Sequence, residues 1–353
     1  MANRRMAALV AVAVLGSLSA CKSSNNSSGN VEISGAGSTF VNPVMTRWTA
    51  DFTKLHPNVL INYQSIGSGG GIQQVKAKTV DFGASDVALK DDQLATMQPL
   101  VQIPETAGPV CITYNLPGLD QPLKLSPDAL AGIFLGTIKS WQDPKLTKEN
   151  PGVKLPKLPV IVSHRSDGSG TTGIFTDYLD KVSPDWHTKV GKGSSVNWPV
   201  GLGGKGNPGV AGTIKQTPGA IGYIELAYAI QNGMSYAEVQ NKSGNFIIPT
   251  VASTSAAGNV QLPPDSKVSL TNTDAADGYP ISGFTWALIY KEQNYNNRSL
   301  DRATKLLKLL WWNVHDGQQY TAALNYASLA PAAVTVAENI LKSATYDGKP
   351  ILQ

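Results

Sequence analysis

Residues 31–55 read VEISGAGSTFVNPVMTRWTADFTKL, and the change of pattern within this stretch indicates the fold class. Val31–Ser34 is a short strand candidate, and the glycine-rich Gly35–Gly37 predicts a tight turn after it. Beyond the turn, large apolar side chains recur at spacings of four, four, four and three, which predicts one face of a helix. These side chains are Phe40, Val44, Trp48, Phe52 and Leu55. The stretch therefore predicts one strand–turn–helix unit.

The alternation of strands and helices continues along the chain. Further strands are predicted at Val59–Tyr63, Val80–Ala84 and Leu158–Ser163, and further helices at Ile72–Lys78, across Ile174, Phe175, Tyr178, Leu179 and Val182, and at Leu300–Val314. Alternating units of this kind predict an α/β architecture with mostly parallel sheets, in which ligands bind beyond the carboxyl ends of strands. Because 353 residues exceed the size at which one core usually keeps growing, two domains are expected.

Three segments share one design, in which a strand runs into a turn of Gly, Ser and Thr and then into a helix. They are Gly35–Phe40 (GAGSTF), Gly67–Gly71 (GSGGG, read as a turn) and Asp167–Thr172 (DGSGTT). Glycine lets the backbone approach a ligand closely, and the first N–H groups of a helix are unpaired donors at the positive end of its dipole. Each turn alone also fits an ordinary capped helix. Together the three indicate an oxyanion site.

Two charged residues follow predicted strands, where a ligand is expected. Arg165 offers a planar fork of donors to an oxyanion, and Asp167 is expected to pair with Arg165 and orient it. Asp86 can accept a hydrogen bond from an anion that keeps a proton near neutral pH, as phosphate does, whereas sulfate has no proton to give. A capping or surface aspartate is the alternative role for Asp86. The combination of Arg165 with Asp86 favours phosphate.

Six runs resemble those of the periplasmic phosphate-binding proteins, the substrate-binding components of the phosphate-specific ABC transporter. The runs are Gly35–Phe40, Gly67–Gly71, Asp81–Asp86, Arg165–Thr171, Gly201–Asn207 and Gly219–Tyr223. The resemblance implies that phosphate is held by the matching positions Thr39, Phe40 (through its backbone N–H), Ser68, Asp86, Arg165, Ser169, Gly170 (backbone) and Thr171. Two positions depart from the pattern: Gly69 stands where a serine is common, and His164 flanks the arginine. His164 would add a mild pH sensitivity or be an outward or core histidine.

The resemblance also implies a two-lobed periplasmic-binding-protein fold of type II, each lobe a mostly parallel sheet flanked by helices, with a hinge between the lobes. Residues 31–105 and 280–353 would form lobe I, and residues 106–279 would form lobe II. Lobe I would carry Thr39, Phe40, Ser68 and Asp86, and lobe II would carry the segment Arg165–Thr171. Closure over the anion would precede its delivery to the permease subunits of the transporter, whose ATPase lies on the cytoplasmic side.

The N-terminal segment has the features of an export signal. Arg4 and Arg5 precede the apolar stretch Met6–Leu18, which at ~1.5 Å per residue is too short to cross a ~30 Å hydrocarbon core. Residues 1–20 are therefore interpreted as a signal peptide.

The end of that segment, LSAC at residues 18–21, resembles a bacterial lipobox. The resemblance implies that Cys21 is acylated and becomes the mature N-terminus; the alternative is an ordinary signal peptide with a cysteine nearby. The polar residues 21–30 would be a flexible, lipid-anchored tether, and the protein is expected in the periplasm or cell envelope, held to a membrane.

Composition bounds the partners. Without residues 1–20 the chain carries 27 basic and 25 acidic residues and no Lys/Arg cluster, so no nucleic-acid partner is expected. Cys111 is the one cysteine besides Cys21, and its apolar neighbours predict a buried core residue. No cofactor and no metal ion is expected.

A secreted phosphatase that uses the same oxyanion cradle is the alternative function. Phosphatase chemistry needs a nucleophile with a base, or a metal pair. The four histidines show no metal-ligand spacing, and the serines of the turns fail the G-x-S-x-G pattern. A binding protein for sulfate, molybdate or an organic phosphate is a further alternative, against which Asp86 is the main argument.

Overall fold

The structure is a computed structural model that describes residues 30–119 and 121–352. The predicted signal peptide, the predicted lipid-attachment residue Cys21 and the tether up to residue 29 lie outside the described residues. The strands are β1 (Val31–Gly37), β2 (Val59–Ser65), β3 (Phe82–Ser85), β4 (Leu100–Tyr114), β5 (Lys124–Leu125), β6 (Ile161–Arg165), β7 (Leu202–Gly204), β8 (Ala220–Glu225), β9 (Ser235–Tyr236), β10 (Glu238–Gln240), β11 (Phe246–Ile247), β12 (Ser282–Tyr290), β13 (Thr345–Tyr346) and β14 (Lys349–Pro350).

The helices alternate with these strands over most of the chain. They are α1 (Asn42–Leu55), α2 (Ser68–Lys76), α3 (Asp91–Leu94), α4 (Pro127–Phe134), α5 (Pro144–Glu149), α6 (Gly170–Val182), α7 (Pro184–Lys189), α8 (Gly206–Gln216), α9 (Leu226–Gln231), α10 (Val251–Ala257), α11 (Leu300–Val314) and α12 (Pro331–Lys342), with 3-10 turns at Asp316–Tyr320 and Ala322–Leu324. Within the described ranges, no helix has the length and apolar character that crossing a bilayer requires.

The main sheet runs in the order β2-β1-β3-β12-β4-β8-β6-β7, with β9 added beside β4. Its two outer parts are parallel, since β1 pairs with β2 and β3, and β6 pairs with β7 and β8. Its middle is antiparallel, because β12 runs against β3 and β4, and β4 runs against β8. The predicted α/β, two-lobed binding-protein fold is confirmed, with the parallel strands confined to the outer part of each half.

Strand β4 joins the two halves of this sheet. Its residues Leu100–Pro109 pair with β12, and its residues Val110–Tyr114 pair with β8. The ladder with β12 is irregular between Thr285 and Trp286, opposite Glu105. A strand of 15 residues is well beyond the common length, and this one pairs first within one half of the sheet and then within the other.

Several predicted elements are confirmed. The apolar face at Ile174–Val182 lies on α6, and the predicted helix Leu300–Val314 is α11, which begins after Ser299, whose side chain accepts the Arg302 N–H. Cys111 is fully buried on β4, as its apolar neighbours predict. These patterns are local, so the sequence carries them in full.

The predicted turn Gly35–Gly37 is wrong, because these residues complete β1 and pair with both β2 and β3. The ring of Phe82 covers Gly35, where an added Cβ would lie 2.2 Å from the ring. Glycine here makes room for an aromatic neighbour across the sheet instead of turning the chain.

The predicted turn Gly67–Gly71 is wrong beyond its first residue. Gly67 has φ +89°, a conformation that favours glycine, but Ser68–Gly71 already belong to α2. A Cβ at Gly71 would lie 2.5 Å from the Cα of Gly37, so this helix approaches β1 closely. Tertiary packing outweighs the low helix propensity of three successive glycines.

Other element boundaries differ by a few residues. Phe40 precedes α1, and Leu55 at its end is 63% exposed, so the buried face of this helix runs from Val44 to Phe52. The strand predicted at Leu158–Ser163 begins at Ile161 and extends to Arg165. Helix and strand ends are set by capping and pairing partners that a local pattern does not contain.

Candidate functional site

The first side of the site is the turn between β1 and α1. Ser38 is fully buried there, and its Oγ accepts the Phe40 N–H at 2.9 Å and the Val41 N–H at 3.2 Å. The Ser38 hydroxyl donates to Asp86 Oδ1. The Phe40 N–H, which the resemblance assigns to the anion, is thus held by Ser38 here, and the Thr39 hydroxyl accepts hydrogen bonds from Asn207 of α8.

Asp86 follows β3 directly, at the carboxyl end of that strand, as expected from the sequence. Its side chain is almost completely buried, and Oδ1 accepts hydrogen bonds from Ser38 and from Thr285 of β12. Ser68 Oγ lies 3.4 Å from Oδ2. Burial raises the pKa of Asp86 to about 6, although the hydroxyl donors and the charge of Arg165 act in the opposite direction. The buried carboxylate of Asp86 is therefore stabilised when it is protonated or when it accepts a further hydrogen bond.

Arg165 ends β6 on the opposite side and is also almost completely buried. Its Nε donates to Asp167 Oδ1 at 2.8 Å and its Nη2 to Asp167 Oδ2 at 2.5 Å, so the predicted pairing is confirmed. Burial alone would raise the pKa of Asp167, but the hydrogen bond and charge of Arg165 outweigh it and lower that pKa. A bidentate pair of this kind fixes the plane of the guanidinium and leaves Nη1 facing Thr171 at 3.4 Å.

The start of α6 supplies backbone donors next to Arg165. Ser169 is the N-cap, and its Oγ accepts the Thr172 N–H at 3.0 Å. The Gly170 N–H donates to Ser68 Oγ at 3.1 Å. A Cβ at Gly170 would lie 2.6 Å from Asp86 Cβ and from Ser68 Oγ, so glycine is what lets the two sides meet here.

The structure brings together the residues that the sequence singles out. All eight are buried at facing strand ends and helix starts: Thr39, Phe40, Ser68, Asp86, Arg165, Ser169, Gly170 and Thr171. Direct contacts across the cleft include the Gly69 N–H, which donates to the Gly168 carbonyl at 2.9 Å. His164 does not point into this cluster: its ring stacks on Trp198 with centroids 4.8 Å apart.

Sequence reasoning missed several residues that contact this cluster, and four of them illustrate why. Ser38 and Thr285 hydrogen-bond to Asp86, Asn207 of α8 hydrogen-bonds to Thr39, and Tyr228 donates to the Thr39 carbonyl at 2.6 Å. Asn207 lies in the run Gly201–Asn207, so its motif was visible although its role was not. Nothing in the sequence around Thr285 or Tyr228 distinguishes them from other core residues.

Two cavities flank the cluster. One of about 320 Å³ borders Asp86 and is walled mainly by apolar side chains such as Ile174, Phe284 and Trp286. A smaller one of about 200 Å³ borders Thr39, Asp167 and Gly206. Among the described residues, no three His, Cys, Asp or Glu side chains come together as a metal centre would need.

The chemistry of the cluster suits a compact tetrahedral oxyanion. One fixed cation, several hydroxyls and the N–H groups at two helix starts supply donors, while one buried carboxylate supplies an acceptor. A family model described as the PBP superfamily domain matches residues 23–310. The chain belongs to this superfamily.

Relatives place the chain more closely within the superfamily. It is 43% identical over 309 residues to the phosphate-binding protein PstS of Xylella fastidiosa (strain 9a5c), covering 86% of this chain and 83% of the relative. It is 47% identical over 265 residues to PstS of Pasteurella multocida (strain Pm70), covering 73% and 76%. The chain is thus a member of the PstS family.

A solved structure supports the fold. The structure of a high-affinity periplasmic phosphate-binding protein bound with phosphate superposes with a TM-score of 0.68, covering 86% of this chain and 92% of that one. Its sequence is 22% identical to this chain, so the likeness concerns the fold of the PBP superfamily and not the side chains of the site.

Proposed function

We propose that the protein captures inorganic phosphate in the cleft between its two lobes and delivers it to the phosphate-specific ABC transporter. The observation that carries the proposal is the buried Asp86 opposite the buried Arg165, because Arg165 attracts any oxyanion and Asp86 favours one that keeps a proton. The names of the PstS relatives support the same ligand.

The ligand set carries over residue by residue. Donors to phosphate are the hydroxyls of Thr39, Ser68, Ser169 and Thr171, the N–H groups of Phe40 and Gly170, and the guanidinium of Arg165. Asp86 accepts the remaining proton of phosphate, and Asp167 orients Arg165. Since Phe40 N–H and Ser68 Oγ already have partners, phosphate replaces internal hydrogen bonds when it binds.

The two lobes contribute opposite halves of this set. With residues 31–105 and 280–353 as lobe I and 106–279 as lobe II, Asp86 comes from one lobe and Arg165 from the other. The permease subunits recognise the closed form, which phosphate stabilises by joining the two halves. Closure in this scheme bends the connections between the lobes, of which β4 is one.

The N-terminal residues set the location. Residues 1–20 act as a signal peptide, and acylated Cys21 holds the protein to a membrane through the tether 21–30, within the periplasm or cell envelope. Labelling with a radioactive fatty acid tests this, since Cys21→Ser abolishes the label if Cys21 is the attachment site.

Calorimetric titration of the purified protein with inorganic phosphate and with sulfate tests the central proposal. We expect tight binding of phosphate and weak or undetectable binding of sulfate at pH 7.5. Tight sulfate binding, or no phosphate binding, contradicts it. Incubation with a generic phosphomonoester separates the phosphatase alternative, because steady release of phosphate would require a catalytic function.

A further inference from the structure

Asn207 lies between the two threonines of the proposed phosphate site. It is the second residue of α8 and is fully buried. Its Nδ2 donates to Thr39 Oγ1 at 2.9 Å and to Thr171 Oγ1 at 3.2 Å, and its backbone N–H also donates to Thr39 Oγ1, at 3.1 Å. One side chain therefore touches a proposed ligand from each lobe.

A backbone hydrogen bond on the side away from the threonines fixes the orientation of the Asn207 amide. Its Oδ1 accepts the backbone N–H of Glu225 at 3.0 Å. A backbone N–H cannot accept, so the oxygen of the amide must face Glu225 and the NH2 group must face the threonines.

Both threonine hydroxyls have their acceptor positions filled. Thr39 Oγ1 receives two N–H groups of Asn207, and Thr171 Oγ1 receives Nδ2 of Asn207 and Nη1 of Arg165. A hydroxyl has two lone pairs and one proton, and N–H donors leave only the proton free. Among the described residues, neither hydroxyl has an acceptor within hydrogen-bonding distance.

We propose that Asn207 is a positioning residue that turns the Thr39 and Thr171 hydroxyls into obligate donors toward the ligand. A phosphate oxygen that carries no proton can then accept from the threonine hydroxyls, and the protonated phosphate oxygen can donate to Asp86. The two sides together fix both the charge state of phosphate and its rotation in the cleft. This inference rests on the proposed function and adds to it a specificity-determining residue that does not touch the anion.

A double-mutant cycle measures the effect through the hydroxyl. Asn207→Leu keeps the shape of the side chain and removes its donors, so we expect phosphate affinity to fall about 10-fold in the otherwise native protein. In the Thr39→Val background the same change should cost only about 3-fold, because the Thr171 hydroxyl is then the one hydroxyl that Asn207 still orients. Equal costs in the two backgrounds overturn the inference.

A pH profile adds a readout that a purely structural role does not move. In Asn207→Asp the new carboxylate accepts the threonine protons at pH 8, and we expect phosphate affinity about 100-fold below that of the native protein. The deficit, measured against the native protein at each pH, should shrink toward pH 5 as burial favours the neutral acid. A deficit that is constant with pH contradicts the inference.

Two controls keep the outcomes separate. Asn150 is also buried and hydrogen-bonded, to Lys124 and Leu146 far from the site, so Asn150→Asp should lower stability and leave phosphate affinity unchanged. Failure of the native protein to bind phosphate would remove the proposed function itself, whereas an additive cycle removes only the role of Asn207. If the Asn207 variants do not fold, Thr39→Val decides, since unchanged phosphate affinity excludes an obligate donor at Thr39.

Discussion

Strand β3 is bracketed by two buried aspartates that the fold treats in opposite ways. Asp81, just before the strand, accepts from Arg302 at 2.9 Å and 2.7 Å, and from Arg298. Asp86, just after the strand, has hydroxyl partners, and no lysine or arginine of the described chain lies within ion-pairing distance. The two carboxylates are five residues apart and similarly buried.

The pKa values of the two groups diverge accordingly. Burial would raise the pKa of Asp81, but hydrogen bonding to Arg302 and the charge of Arg298 outweigh it and lower that pKa. Burial prevails at Asp86 and raises its pKa to about 6. The charge of Asp81 is compensated by arginines and stabilises the fold. Asp86 has no cation as an ion-pair partner in the part of the chain that the structure describes, so its carboxylate is available to interact with a ligand.

Replacement of Asp81 should have the largest effect on stability. Asp81→Asn leaves two guanidinium groups without a counter-charge, and we expect the free energy of unfolding to fall by about 3–5 kcal/mol. Urea denaturation measures this loss. Asp91→Asn is the matched control, because Asp91 is exposed and its ion pair with Lys267 should contribute little to stability. Similar losses in the two variants would contradict the role given to Asp81.

Replacement of Asp86 should raise the free energy of unfolding, and the gain should develop only above pH 4. A raised folded-state pKa means that the stability due to protonated Asp86 is complete below its ordinary value and is lost as pH rises to about 6. Without phosphate, Asp86→Asn should therefore gain up to about 3 kcal/mol relative to the native protein between pH 4 and pH 7. Urea denaturation across this range checks the sign, and a gap independent of pH would show that burial does not dominate at Asp86.

Anion selectivity should depend on the same carboxylate. Sulfate has no proton to donate to Asp86, so the carboxylate repels it. Asp86→Asn removes this negative charge, and we expect the preference for phosphate over sulfate to fall by about 100-fold. Paired calorimetric titrations measure the ratio of the two affinities. Asp81→Asn, if folded, should keep the native ratio, and a change there would mean that the two ends of β3 are not independent.

Acidification should reproduce part of this effect in the native protein. Below a pKa of about 6, protonated Asp86 can donate to a sulfate oxygen, so sulfate affinity should rise about 10-fold from pH 7 to pH 5. Sulfate keeps its charge over this range, which makes it the cleaner probe. A flat profile in Asp86→Asn is expected, and the same rise in that variant would assign the titration to another group.

The parts of the site that the sequence predicts are those with a local signature. Asp86 and Arg165 follow apolar runs, and α6 and α11 show periodic faces, so their positions follow from neighbours in sequence. Asp167 lies two positions after Arg165 in the sequence, and the bidentate contact between them confirms the predicted pairing.

The remaining contacts depend on residues far apart in the chain. Thr285 lies 199 residues from Asp86, and Asn207 lies 168 residues from Thr39, so no local pattern announces either contact. The turns predicted at the glycine runs are wrong for the same reason. Phe82 packs against Gly35 and Gly37 packs against Gly71, and both contacts leave no room for a side chain at the glycine. Long-range packing decides what a glycine is for.

The place of β12 in the sheet has a consequence for how the molecule assembles. β3 and β4 are consecutive strands, yet they never pair, because β12 lies between them and comes almost 200 residues later. During synthesis from the N-terminus, the first half of the sheet therefore stays incomplete until β12, which ends at Tyr290, has been made. A fragment ending before Ser282 contains every proposed phosphate ligand but lacks Thr285, a hydroxyl partner of Asp86. Folding of this protein is a late, non-local event, and such topologies fold slowly.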